Sequence, residues 1–182
     1  MDRESVEELI TNRYAQAYCA TPSFDYPRFQ AQRCCGKTKA ALGYRRGDTG
    51  SLFLETYLDA PIETVLQEKL GRSFSRRDIV EIGNLASYNA PAMVALWART
   101  ANDLGSDAEI AVAVLTTPLR AMFCRLGIPL VELAPADPAR LGDKSGEWGQ
   151  YYEQNPIICA GLIADGQARL GRFVARIERQ AA

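Results

Sequence analysis

Apolar positions along the chain follow two rhythms. Val6, Leu9, Ile10, Tyr14 and Ala17 recur at helical spacing and predict a first helix. Ile62, Val65, Leu66 and Leu70 repeat that spacing after Pro61, a residue suited to a helix's first turn. Met93, Leu96, Trp97, Ala101 and Leu104 predict a third helix between Pro91 and Gly105. Thr117-Pro118 reads as a cap and first turn for Leu119, Met122, Phe123 and Leu126, with Gly127 as the stop. Leu170, Phe173, Val174 and Ile177 predict a C-terminal helix.

Strand-like runs lie between these stripes. Residues 39–45 and 51–57, joined by Gly47-Asp48-Thr49-Gly50, read as a hairpin. Residues 79–86, 109–116, 128–134 and 156–164 supply four more. Residues 109–116 are almost unbroken Ile, Val, Ala and Leu, as in a central strand buried on both faces. Strands alternating with helices after an initial meander predict one α/β domain over residues 1–182, a mixed sheet with helices on both faces. Residues 133–152 differ: they are rich in Pro, Gly and Asp, carry Trp148, Tyr151 and Tyr152, and read as an ordered loop over one end of the sheet.

Composition narrows the chemistry. The 182 residues include no histidine, which removes Ser-His-Asp and Cys-His nucleophiles and every His-based metal site. Catalysis then falls to carboxylates, Tyr, Lys, Cys, backbone amides or a cofactor. The 21 basic and 22 acidic residues nearly cancel, which argues against gripping nucleic acid as the main task. No apolar run approaches the ~18 residues of a membrane span. Met1-Asp2-Arg3-Glu4 lacks a signal-peptide layout, so the expected location is cytoplasmic. The five cysteines form no CxxC pair and read as reduced thiols: Cys124 and Cys159 in the core, Cys34-Cys35 beside Arg33 as a candidate reactive site.

The candidate chemistry centres on residues 79–87. As a regular strand this run places Ile79, Glu81, Gly83 and Leu85 on one face, and Val80, Ile82, Asn84 and Ala86 on the other. A carboxylate in an apolar row is either paired, for instance with Arg76 or Arg120, or has a raised pKa suited to a general base for an amine. Gly83 in mid-strand suggests a bulge or the close approach of a ligand. Asn84 on a half-buried face needs a partner. Thr116, Thr117 and Arg120 stand at the end of the central strand, where α/β sheets bind ligands.

Residues 40–45 (Ala-Ala-Leu-Gly-Tyr-Arg), 52–63, 79–86 (Ile-Val-Glu-Ile-Gly-Asn-Leu-Ala), Leu119-Arg120 with Phe123 and Arg125-Leu126-Gly127, 133–141, and Trp148-Gly149 with Tyr151-Tyr152 together resemble the thermostable hemolysin family, whose fold is similar to that of the GNAT acyltransferases. The run Glu81-Ile-Gly-Asn-Leu-Ala86 also resembles the Glu-x-Ser-Arg-Phe-Ala strand of acyl-homoserine-lactone synthases, with Asn84 where those enzymes carry Arg.

The resemblance implies a GNAT-like sheet in which two parallel strands, here 79–86 and 109–116, splay apart to admit the pantetheine arm of an acyl thioester. The thioester would be a co-substrate, carried by an acyl carrier protein or by CoA, and the acceptor a small-molecule amine. Glu81 would act as general base, directly or through water, and Asn84 would orient the reactants. An amide at Leu85 or Ala86 would hold the oxyanion. Thr116, Thr117 and Arg120 would contact the donor or the acceptor, and Trp148, Tyr151 and Tyr152 would line the acceptor pocket. Residues 87–93 lack the glycine loop that cradles a pyrophosphate in CoA-using relatives, which shifts weight to a carrier-protein donor. An aminoacyl-tRNA donor stays open. Arg72, Arg76, Arg77 and the series Arg169, Arg172, Arg176, Arg179 are candidate docking clusters for an acidic carrier. Two other readings stand beside this one: a membrane-active protein, as the family name suggests, and a GNAT-like binding module without activity.

Overall fold

The five helices read from apolar stripes all form, whereas a further possible helix between the first of them and residue 39 does not: a strand stands there. In a computed structural model, which describes residues 2–181 and the side chains among them except those of residue 144 and residues 175–181, α1 spans Arg3–Tyr18 and buries Val6, Leu9, Ile10 and Tyr14. Ala17, expected on that face, is exposed. Helices α2 (Ile62–Leu70), α3 (Ala90–Leu104), α4 (Thr117–Arg125) and α5 (Ile163–Ala181) follow, the cap of α4 being Thr116, one residue earlier than the sequence suggests.

The strands are β1 (Arg28–Cys34), β2 (Lys37–Arg46), β3 (Ile79–Ser87), β4 (Ile110–Leu115), β5 (Val131–Pro135) and β6 (Ile157–Leu162), in one six-stranded sheet of order β1-β2-β3-β4-β6-β5. Among the described residues only β3 and β4 run parallel. Helix α1, α2 and the 3-10 turn Phe53–Tyr57 cover one face; α3, α4 and α5 cover the other.

The expected hairpin is misplaced by one element. Residues 51–57 make no strand; the true hairpin joins β1 to β2 through Cys35-Gly36, both at positive φ (50° and 74°), as a tight primed turn requires. The physical reason is where the backbone donors go. The N–H groups of Leu52 and Ile62 bond to Glu55 Oε atoms, and those of Phe53 and Leu54 bond to Glu81. Two carboxylates thus take the donors a strand would have offered to a neighbour, and local β propensity loses. Cys34 and Cys35 sit exposed at this hairpin tip, and Cys124, expected in the core, is exposed too; Cys159 is buried.

The parallel pair splays. Ile79, Val80, Glu81 and Ile82 pair with Ile110, Ala111, Val112 and Ala113, and the pairing stops there. Beyond it, β3 stays bonded to β2 and β4 to β6, so the edges that face each other across the gap are those of residues 83–87 and 114–115.

Candidate functional site

A bulge re-aims the strand at the start of the gap. The β2–β3 register shifts between Ala41 and Gly43, and Asn84 takes φ 51°. One extra residue in a strand reverses the alternation beyond it. Asn84 therefore lies on the same face as Glu81 and Gly83, and Leu85 turns to the opposite face, contrary to the regular alternation expected. Asn84 is buried and donates from Nδ2 to Ser23 O at 3.0 Å. Beyond the bulge the Tyr88 N–H bonds to Lys39 O, so strand alternation turns the Leu85 and Ser87 amides toward the gap and the Ala86 amide toward β2.

Glu81 is 1% exposed. Neither Arg76 nor Arg120 pairs with it. Its two oxygens accept from Phe53 N at 2.9 Å and Leu54 N at 2.8 Å, which ties the 3-10 turn to the sheet. Burial raises its pKa; these two N–H groups, the Arg45 charge and a hydrogen bond from Tyr26 pull the other way without cancelling the rise.

Tyr26 is the residue the sequence reading missed. Its ring lies across Gly43 and Gly83, which are partners in the β2–β3 ladder. A Cβ on Gly83 would stand 2.1 Å from the Tyr26 hydroxyl and one on Gly43 2.8 Å from its ring, so neither position tolerates a side chain. The close approach foreseen at Gly83 is made by the chain's own tyrosine. Two glycines at matching positions of neighbouring strands were the available signal. Burial and the nearby Glu81 charge raise the Tyr26 pKa well above its ordinary value, so the phenol stays neutral.

Above Tyr26 lies a cavity of about 50 Å³. Six further aromatic residues line it: Tyr14, Tyr18, Phe53, Tyr57, Trp148 and Tyr151. The 133–152 segment does cover this end. Tyr18 O accepts from Gln150 N at 2.7 Å and Glu147 O from Thr21 N at 2.9 Å, stapling the segment to the end of α1. Gly149 makes that approach possible: it has φ 49°, and a Cβ there would meet Tyr18 O at 2.3 Å. Tyr151 stacks on Tyr14 and reaches Val114 O through its hydroxyl at 3.3 Å, at the open edge of β4. Tyr152 backs the wall through a 2.6 Å hydrogen bond to Tyr57. Arg45 also borders the cavity, but its guanidinium is held by Asp25 O and Ser51 O at 2.6 and 3.0 Å.

Outside the cavity, and sharing Tyr14, Tyr18, Leu85 and Leu119 with it, is an open groove of about 280 Å³ at the start of α3. Arg13 and the exposed Tyr88 stand on its rim. The first turn of α3 is capped from within: Asn89 Oδ1 accepts from Ala92 N, Asn89 O accepts from Met93 N, and Pro91 has no N–H. Little remains there to hold a pyrophosphate.

The other candidates fall elsewhere. Arg120 donates to Leu115 O at 2.7 Å and Asn155 O at 2.9 Å and pairs with Glu132 at 3.1 Å, locking the end of β4 to its neighbours. Thr117 donates to Gln154 O. Thr116 is fully buried and its hydroxyl has no partner. Arg72 and Arg76 lie at the opposite end of β3 from the gap, paired with Glu109 and with Glu55 and Glu63 respectively. A broad hollow of about 1060 Å³ opens beside Arg76, but its principal charges are already matched to one another. Arg176 and Arg179 lie outside the described side chains.

A mixed sheet with one splayed parallel pair, backed by helices on both faces, is the GNAT-like arrangement. Solved structures agree. The AHL synthase LasI superposes with a TM-score of 0.60 at 14% identity, covering 93% of this chain and 89% of that one. FeeM, an N-acyl amino acid synthase from uncultured soil microbes, gives 0.59 at 12% identity over 92% and 94%. The CoA-dependent acyl-homoserine lactone synthase BjaI, with SAM and isopentyl-CoA, gives 0.61 at 10% over 96% and 83%. At these identities the likeness is one of fold. By sequence, residues 1–167 match the family model described as thermostable hemolysin, and the chain belongs to that family. No protein of curated function matches it. Among the described residues no helix is long and apolar enough to cross a membrane.

Proposed function

We propose that the protein is an N-acyltransferase that moves an acyl group from a thioester to a small amine. The observation that carries this reading is the gap between β3 and β4, with the Tyr26–Glu81 pair directly beside it. Unpaired strand edges offer donors and acceptors to a pantetheine arm, which hydrogen-bonds as an added strand does. Three of the structural neighbours are named as synthases that join an acyl group to an amine-bearing partner, which supports the same class of reaction.

The amine nitrogen attacks the thioester carbonyl carbon. The C–N bond forms as the carbonyl π pair moves onto oxygen, where the Leu85 amide stabilises it. Collapse of this intermediate breaks the C–S bond. Glu81 is too enclosed to meet the amine itself, so Tyr26 relays: its oxygen takes the amine proton while its own proton passes to the carboxylate. The return of that proton along the same path neutralises the departing thiolate. Products are an amide and a free thiol, and the protein ends as it began.

The amine end of the acceptor occupies the aromatic cavity as the neutral amine, its apolar body against the ring faces. The self-capped start of α3 favours a donor on a carrier protein over free CoA.

The test is incubation of the purified protein with hexanoyl-carrier protein or hexanoyl-CoA and a panel of amines, read by intact mass of the carrier and mass spectrometry of the amide. Acyl loss matched by amide formation with the carrier, lost in Tyr26→Phe, is the expected result. Hydrolysis alone, or no turnover with either donor, overturns the reading.

A further inference from the structure

The second cavity near the gap lies on the opposite face of the sheet. It measures about 100 Å³ and borders the aromatic cavity only at Ile82 and Leu85, the two β3 residues that flank the bulge. Leu85 reaches it because the extra residue at Asn84 turned it over. The cavity roof is Trp97 stacked on Phe123, ring centroids 4.3 Å apart.

Its lining is apolar but for one group: the Trp97 Nε1–H in the roof is buried without a partner. Among the described residues no charged side chain lines it. The Thr100 hydroxyl is spent on Gln30, and burial pushes the Cys159 thiol up to about 12, so it stays a neutral, inert wall. Its emptiness has a pattern. In β4, Ile110, Val112 and Val114 face the α1 side, where they join its core clusters, while Ala111 and Ala113 face this cavity. Gly161 of β6 and Gly166 of α5 line it too. Interiors normally fill space left by one side chain with another. Here small residues on three elements, β4, β6 and α5, leave the same space.

We propose that this cavity seats the acyl tail of the donor, a straight aliphatic chain of about six carbons. The assignment rests on the thioester reading above. With the carbonyl and its first carbon in the gap, the remaining chain enters past Leu85. A volume of about 100 Å³ takes three or four methylene groups at ~30 Å³ each, near the share of a water molecule. A sixteen-carbon chain does not fit, and a charged tail finds no counter-charge among the described residues.

The probes are acetyl-, hexanoyl- and hexadecanoyl-pantetheine, titrated by calorimetry into the wild type and Ala113→Leu, which fills the cavity from its floor. Hexanoyl-pantetheine binds the wild type at least about tenfold tighter than the acetyl form, the low end of what burying several methylenes gives. Ala113→Leu loses that advantage and keeps acetyl binding. An unchanged hexanoyl advantage in the variant, or hexadecanoyl binding as tight as hexanoyl, overturns the proposal. If Ala113→Leu does not fold, Ala113→Val carries the same comparison. Thermal shift with 1-hexanol separates this proposal from the thioester reading. Stabilisation of the wild type but not the variant upholds the cavity even where no pantetheine thioester binds, and its absence from both overturns it.

Discussion

The two ends of the β3–β4 pair share strands but not purpose. At the first end, Ile79–Ile82 zip to β4, and Arg76 gathers Gly47 O, Gly50 O, Glu55 and Glu63 around one guanidinium. The carbonyls and carboxylates around that guanidinium are answered by it. At the second end the ladder stops, Asn84 takes a left-handed conformation, and two cavities and a groove meet. Paired strands and a shared guanidinium hold the scaffold at the first end; the unpaired strand edges at the second are where we propose that the donor binds.

That contrast can be broken or sharpened in five ways. The largest effect is expected from Glu81→Gln. Turnover in the hexanoyl-transfer assay falls a hundredfold or more, the scale of losing a general base, while circular dichroism stays native; wild-type-like turnover removes Glu81 from the mechanism. Next comes Gly83→Ala, whose Cβ collides with the Tyr26 hydroxyl. Overpacking of this kind costs about 1–3 kcal/mol, and displacement of Tyr26 lowers kcat as well; a variant with native stability and rate would mean the ring is not held there.

Arg76→Ala probes the closed end. Leaving its carboxylate and carbonyl partners unmatched costs about 1–2 kcal/mol in urea titration, with kcat unchanged. A fall in kcat would show that the two ends are coupled. The pH dependence of stability gives a smaller signal. Burial raises the Glu81 pKa in the folded state, so the native protein holds that proton to higher pH than the unfolded chain does. Between the two values the folded state binds more protons, and stability falls as pH rises through that window. Glu81→Gln flattens this part of the curve; an identical slope in both proteins rules the residue out as its source. Smallest is Thr116→Val. Its buried hydroxyl has no partner, so a methyl in its place leaves stability unchanged or raises it by about 1 kcal/mol. A clear loss reveals a partner in solution.

The helices were legible because each carries a stripe of apolar residues that local geometry alone brings to one side. Strand β4 was legible for a similar reason, its run of branched residues allowing nothing but burial. Strand β1 was not: Arg28–Cys34 is an edge strand with Phe29 and Ala31 as its main apolar positions. The candidate site was half legible. Glu81 and Gly83 announced themselves as a carboxylate and a glycine where neither belongs. Trp148, Tyr151 and Tyr152 were legible as a loop cluster, whereas Arg120 looked like a ligand-binding residue and is spent on Leu115 O, Asn155 O and Glu132.

By itself, then, the order of residues determined the helices, the buried central strand, the absence of histidine chemistry and the family. Tertiary structure decided which residue fills the space above Gly43 and Gly83, what the Glu81 oxygens hold, and which way Leu85 faces. The physical reason is range. Periodicity reports neighbours within a turn or a strand, whereas a tyrosine 57 positions before its glycine partner, or one bulged residue that inverts a strand, acts only once distant segments are packed together.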